Sequence, residues 1–147
     1  MTRCPRLKIG WFLNMDTVSK RKRSEIMRAI RSKDSQIENL LRKELRKRKI
    51  RFKANIVSLP GKPDIVFARK KLAIFIDSCF WHGCKSHCRI PQANRKYWMA
   101  KIGGNKLRDE KVNAIYRKMD WKVLRFWEHQ IKKNPQQCVN KIKQALK

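Results

Sequence analysis

Apolar residues recur along this chain first at helical and then at strand spacing. Ile26, Met27, Ala29 and Ile30 predict a short helix over Arg21–Ile30. Ser35-Gln36-Ile37-Glu38 has the form of a capping box and predicts the start of a second helix. Its apolar stripe is Ile37, Leu40, Leu41 and Leu45, and it runs out into Arg46-Lys47-Arg48-Lys49, a basic end that suits the helix dipole. Three strand-like runs follow. Arg51–Ile56 is partly polar; Asp64–Phe67 comes after the turn Leu59-Pro60-Gly61-Lys62-Pro63; Leu72–Ile76 is continuously apolar, as a central strand should be. Arg69-Lys70-Lys71 suits a turn between the last two. Beyond the loop Cys79–Cys88, one or two helices are expected over Arg95–Met119, broken near Gly103-Gly104. Lys122–Trp127 then reads as a strand and Gln136–Leu146 as a terminal helix. Helices mixed with a small sheet make an α/β domain.

The chain has 147 residues, enough for one domain with a modest core. Residues 1–14 offer no periodic face and read as a dispensable arm, with a single domain over 15–147. Lys and Arg number 39 against 11 Asp and Glu, a formal charge of +28. An excess of that size points to a polyanionic partner, nucleic acid first. It does not separate DNA from RNA, or binding from catalysis. No apolar run approaches the ~20 residues of a spanning helix. Five cysteines, an odd number without a secretory signal, argue for a reducing compartment and against a disulfide framework.

In such a compartment the run Cys79-Phe80-Trp81-His82-Gly83-Cys84-Lys85-Ser86-His87-Cys88 is the strongest chemical signal. Cys79, Cys84 and His87 place three ligands within nine residues, a spacing that can close around Zn²⁺. A closed site needs a fourth ligand. His129, just past the strand ending at Trp127, is the first choice, with Cys88 and Cys138 as alternatives; buried free thiols are the competing reading. Phe80 and Trp81 are either core residues or rings that wedge between base steps. His82 is either a further ligand or a general base.

Carboxylates are scarce, so a site for a hard cation can be enumerated. Asp64 opens one strand and Asp77 closes the next, and neighbouring strands could bring both to one sheet edge. Mg²⁺ needs only one or two protein carboxylates besides phosphate oxygens and water. A plain turn role for Asp64, and a capping role for Glu38, compete with that reading.

Taken together, these segments resemble the very-short-patch-repair (Vsr) mismatch endonuclease family. The matching pieces stand in order: Met27-Arg28-Ala29-Ile30, Asp34-Ser35-Gln36-Ile37-Glu38, Leu59 to Asp64, Cys79 to Cys84, Trp98-x2-Lys101-Ile102, Asn105-x3-Asp109, and Trp121 to His129. The resemblance implies a core like that of type II restriction endonucleases, with a small mixed sheet flanked by helices and a structural zinc. It implies Mg²⁺ held by Asp64 with the backbone carbonyl of Ile76, His82 activating water, and Glu38 orienting second-sphere water or His82. Asp77 stands where some members have His, so it adds a carboxylate to the metal site or only shapes it. Zn²⁺ ligands carry over as Cys79, Cys84, His87 and His129, and Met27, Phe80 and Trp81 match the residues that insert beside the mispair.

The function so implied is nicking of the thymine strand at a T·G mispair, starting very short patch repair. The expected partners are mismatched duplex DNA and other mismatch-repair proteins, with a monomer working in a bacterial cytoplasm at the nucleoid. A zinc-stabilised nucleic-acid-binding protein without catalysis, and a restriction-like nuclease for undamaged DNA, are the alternatives.

Overall fold

The computed structural model describes Ser19, Arg21 and residues 35–147. The arm at residues 1–14, Met27 and, apart from Arg21, the helix expected over Arg21–Ile30 lie outside the described residues.

Helix α1 (Gln36–Lys47) begins where the capping box predicts it, with Ser35 Oγ accepting from the Glu38 N–H. Four strands form one sheet in the order β1 (Lys53–Ala54), β2 (Ile65–Phe67), β3 (Leu72–Asp77), β4 (Lys122–Trp127). The first two pairings are antiparallel and β3–β4 is parallel, so the sheet is mixed. β1 is only two residues long, shorter than the Arg51–Ile56 run expected, because only Lys53 and Ala54 find partners on β2. A 3₁₀ turn at Ala68–Lys70 joins β2 to β3, and Lys71 closes it in the left-handed region.

The parallel pair needs a crossover, and α2 (Arg95–Lys118) supplies it as one continuous helix of 24 residues. The break expected at Gly103-Gly104 is absent. A Cβ at either position would meet nothing within 4 Å, so both lie off the packed stripe. Their cost of about 1 kcal/mol each is outweighed by the tertiary contacts of the turns on either side. The short helix α3 (Glu128–Lys133), which periodicity misses, follows β4 directly, and α4 (Pro135–Leu146) starts on Asn134, whose side chain accepts from the Gln137 N–H.

Alternation along the strands sorts the two sheet faces. Ile65, Leu72, Ile74 and Phe126 pack with Leu41, Leu45, Ile131, Val139 and Ile142 from α1, α3 and α4. Ala73 and Phe75 face the other way, onto Val112 and Tyr116 of α2. A sheet covered by helices on both sides is thereby assembled. Among the described residues no helix is long and apolar enough to cross a membrane.

Candidate active site and metal centre

Antiparallel pairing of β2 with β3 sets the start of one strand beside the end of the other. Asp64, just before β2, donates its N–H to the Ile74 carbonyl and accepts at Oδ2 from the Ile76 N–H, 2.7 Å away. Asp77 closes β3 one residue later. The two carboxylates therefore line one cleft of about 550 Å³, together with Glu38, His82, Asp109 and Arg125. Burial pushes the Asp64 carboxyl up to about 6; the Ile76 N–H and Arg42 oppose that rise, and Glu38 and Asp77 add to it. Such a carboxylate is costly to keep charged without a cation nearby.

Asp77 is 6% exposed, and both of its oxygens accept from Arg125 Nη1, at 2.8 and 3.1 Å. Burial raises its pKa, while Arg125 and then His82 pull it back. Arg125 also donates through Nε to Asn113 Oδ1 at 3.0 Å, and its guanidinium lies 4.5 Å from the centre of the Phe75 ring. The β3–β4 register pairs Phe75 with Arg125, which places this cation on the Asp77 side of the sheet.

His82 Nδ1 is 2.6 Å from Asp109 Oδ2 and 3.7 Å from Asp77 Oδ1. Asp109 comes from α2. One helical turn earlier, Asn105 Nδ2 donates to the Trp81 carbonyl at 2.9 Å. Two successive turns of α2 thus hold two successive residues of the loop. Gly83 follows with φ of +64°, and a Cβ there would come within 2.5 Å of Lys106 Cε and 2.8 Å of Ile102 Cγ2. Only glycine supplies both that backbone conformation and that close approach.

Glu38 is buried at the start of α1 and accepts from Ser35 Oγ at 3.1 Å and Arg42 Nη2 at 3.2 Å. Arg42, only 3% exposed, also donates to Asn55 Oδ1 and to the Asp64 carbonyl. α1 is in this way tied to the residue that immediately precedes β2. Phe80 and Trp81 are half-buried. Their ring centres lie 5.5 and 5.9 Å from that of Trp98, which is 6% exposed. Both rings thus contact the buried Trp98 while keeping part of their surface exposed.

A second cluster lies on the same loop. Ligand atoms of Cys79, Cys84, His87 and His129 all fall within 4.8 Å of one another. Cys79 Sγ is 3.2 Å from His129 Nδ1, and Cys84 Sγ is 3.6 Å from His87 Nδ1 and 3.8 Å from His129 Nδ1. Tetrahedral coordination with metal–ligand distances of about 2.0–2.3 Å sets ligand atoms about 3.3–3.8 Å apart, so the donor set fits Zn²⁺. Burial pushes the Cys79 thiol up to about 11 and lowers the His129 imidazole, costs that a cation would offset. The alternative ligands sit elsewhere: Cys88 Sγ contacts the Phe80 carbonyl, and Cys138 is buried among the core residues of α4.

Asp109, Arg125 and Arg42 have no assigned role from sequence, yet each joins the cleft or braces it. Asp109 had a usable signal. Trp98, Ile102, Val112 and Tyr116 are buried on α2, and Asn105 and Asp109 complete their alternating steps of four and three. A polar pair inside an otherwise apolar stripe marks a helix face that turns toward chemistry.

The DNA mismatch endonuclease Vsr family model matches residues 15–89. The chain is 36% identical to Type II nicking enzyme V.NmeDIP of Neisseria meningitidis serogroup C, over 90% of this chain and 91% of that protein. It is 42% identical to Type II nicking enzyme V.NaeI of Lentzea aerocolonigenes, over 74% of this chain and 68% of that protein. It is 36% identical to the DNA mismatch endonuclease Vsr of Escherichia coli, over 77% of this chain and 73% of that protein. The loop with its histidine, the cleft beside it and these matches lead to one conclusion: the chain belongs to the DNA mismatch endonuclease Vsr family.

Proposed function

We propose that this Vsr-family DNA endonuclease nicks the thymine strand at a T·G mispair by metal-assisted phosphodiester hydrolysis, starting very short patch repair. The observation that carries the reading is a paired base in a carboxylate-lined cleft: His82, bonded to Asp109, shares the cleft with Asp64. A neutral His82 that donates Nδ1–H to Asp109 leaves Nε2 as the basic nitrogen. Nε2 takes a proton from water, and that water attacks phosphorus in line. Asp109 fixes the tautomer and stabilises the imidazolium that forms. The P–O3′ bond breaks as the new bond forms, and the leaving 3′ oxygen takes a proton from solvent, which gives a 5′-phosphate and a 3′-hydroxyl.

Asp64 fits a Mg²⁺ ligand. Its carboxylate is positioned by one backbone N–H and lines the cleft, and burial raises its pKa to about 6, a cost that a bound cation would offset. The Ile76 carbonyl would complete the protein's share of the ligands. When bound, Mg²⁺ supplies Lewis-acid stabilisation of negative charge on the phosphate. Glu38 and Arg42 brace the Asp64 backbone. Asp77, with both oxygens on Arg125, is better placed to shape the site than to bind a cation. Cys79, Cys84, His87 and His129 form the structural Zn²⁺ site, whose four protein ligands leave no place for a reacting water.

The basic surface neutralises phosphates and provides affinity. Phe80 and Trp81, anchored on Trp98, are the rings that wedge into the stack with Met27; opening a step costs less where the pair is already mismatched. The deciding experiment is nicking of duplexes that differ only in T·G versus T·A, with and without Mg²⁺. Strong preference for T·G, and dependence on Mg²⁺, are expected. Equal rates on the two duplexes would favour a restriction-like nuclease, and binding without nicking would favour a non-catalytic DNA-binding protein.

A further inference from the structure

Two carboxylates compete for one imidazole in this cleft. Asp109 Oδ2 is 2.6 Å from His82 Nδ1, and Asp77 Oδ1 is 3.7 Å from the same atom. A carboxylate is drawn to an N–H donor this close unless something else occupies it. Arg125 Nη1 engages both Asp77 oxygens, at 2.8 and 3.1 Å, and lies 3.4 Å from Asp109 Oδ1. Its own position is fixed on a third side by Asn113 and on its face by the Phe75 ring. The planar guanidinium suits this task, because it offers several donors in a rigid fork.

We infer that Arg125 is a positioning residue that holds Asp77 off His82, so that His82 pairs with Asp109 alone and presents Nε2 to the cleft. The inference builds on the reading of His82 as the base, but it makes a structural claim that can fail separately. Arg125 acts at both ends. It satisfies Asp77, which would otherwise be a buried and unbalanced charge, and it steadies the Asp109 oxygen that does not face His82. Without it Asp77 and Asp109 would share the Nδ1–H, and the ring would turn away from the attacking position.

The test is a double-mutant cycle on the full chain with Arg125→Gln and Asp77→Asn, read in two ways. The first readout is the downfield proton resonance of the hydrogen-bonded His82 Nδ1–H, identified by its loss in His82→Gln. The second is single-turnover nicking at saturating protein, alongside DNA affinity. Arg125→Gln should shift or broaden the resonance and slow nicking on the order of a hundredfold, as misplacement of a catalytic group does. DNA affinity should change by less than about threefold, since one cleft cation is a small part of the basic surface. In the Asp77→Asn background the same change should leave the resonance in place and cost less than about fivefold in rate. If Arg125→Gln does not fold, the comparison of Asp77→Asn with Asp77→Asn/Arg125→Gln still decides. Loss of the resonance in that double variant overturns the inference, as does an equal rate penalty in both backgrounds. An unchanged resonance in a slow Arg125→Gln also overturns it. A His82→Gln variant that nicks at the wild-type rate would remove the catalytic reading of His82 while leaving the resonance test intact.

Discussion

His82 Nδ1 and Asp109 Oδ2 meet at 2.6 Å although 27 residues separate them in the chain. The contact joins a loop that periodicity cannot place to a helix whose apolar stripe happens to be interrupted there. Its first consequence is kinetic. Asp109→Asn keeps the shape but can hold the wrong tautomer of His82, so single-turnover nicking should fall on the order of a thousandfold, with DNA affinity nearly unchanged. Nicking within about tenfold of wild type would remove Asp109 from the mechanism.

The Cys79, Cys84, His87 and His129 cluster leads to one tightly bound Zn²⁺ per chain in protein purified without added metal. Elemental analysis reads it directly. Cys84→Ser should lose the metal and lower the thermal midpoint, because a closed site contributes folding energy. Folded, active protein with no zinc would contradict the assignment.

Asp64 gives a stability prediction with a defined sign. Its folded pKa of about 6 lies above the ~3.9 of an unfolded chain. The folded state therefore holds the proton more tightly, and stability falls as pH rises from about 4 to 6. Asp64→Asn keeps an oxygen for the Ile76 N–H and removes the charge. Without added Mg²⁺ it should be more stable than wild type by about 1–2 kcal/mol above pH 6.5, and by nearly nothing near pH 4, while nicking is abolished. Thermal melts across that range check it. A variant less stable than wild type at neutral pH would show that the charge is favourably held.

Trp81 touches Trp98 and lines the cleft. Its ring can recover about 1–3 kcal/mol by stacking on a base, and ~1.4 kcal/mol corresponds to tenfold discrimination. Trp81→Ala should reduce nicking of T·G duplex by about tenfold or more and compress the preference over T·A, with little change in non-specific affinity at fixed salt. Loss of both activities in equal measure would assign Trp81 to the core.

Local signals in the sequence were legible where one element decides the outcome. The capping box at Ser35 and Glu38, the apolar β3 run and the β4 run appear where spacing predicts them. The cleft residues Asp64 and His82 stand out because carboxylates and histidines are few. Arg125 and Arg42 do not, since 39 basic residues hide two that turn inward. α3 is too short to show a period, and α2 conceals its continuity because glycine reads as a break whether or not its face is packed. Those outcomes depend on partners far away in the chain.

Consecutive turns of α2 grip consecutive residues of the loop, Asn105 at Trp81 and Asp109 at His82. The helix consequently behaves as a ruler with coarse graduations. One inserted residue between these two positions would rotate the distal part by about 100°, carrying Asp109 off the cleft or Val112 and Tyr116 off the sheet. An insertion of seven residues, about two full turns, would restore the phase but shift the grip by about 10 Å. A change of length that keeps both contacts therefore belongs at the two ends of this helix, outside Trp98 and Tyr116, where it leaves the pairing of Asp109 with His82 untouched.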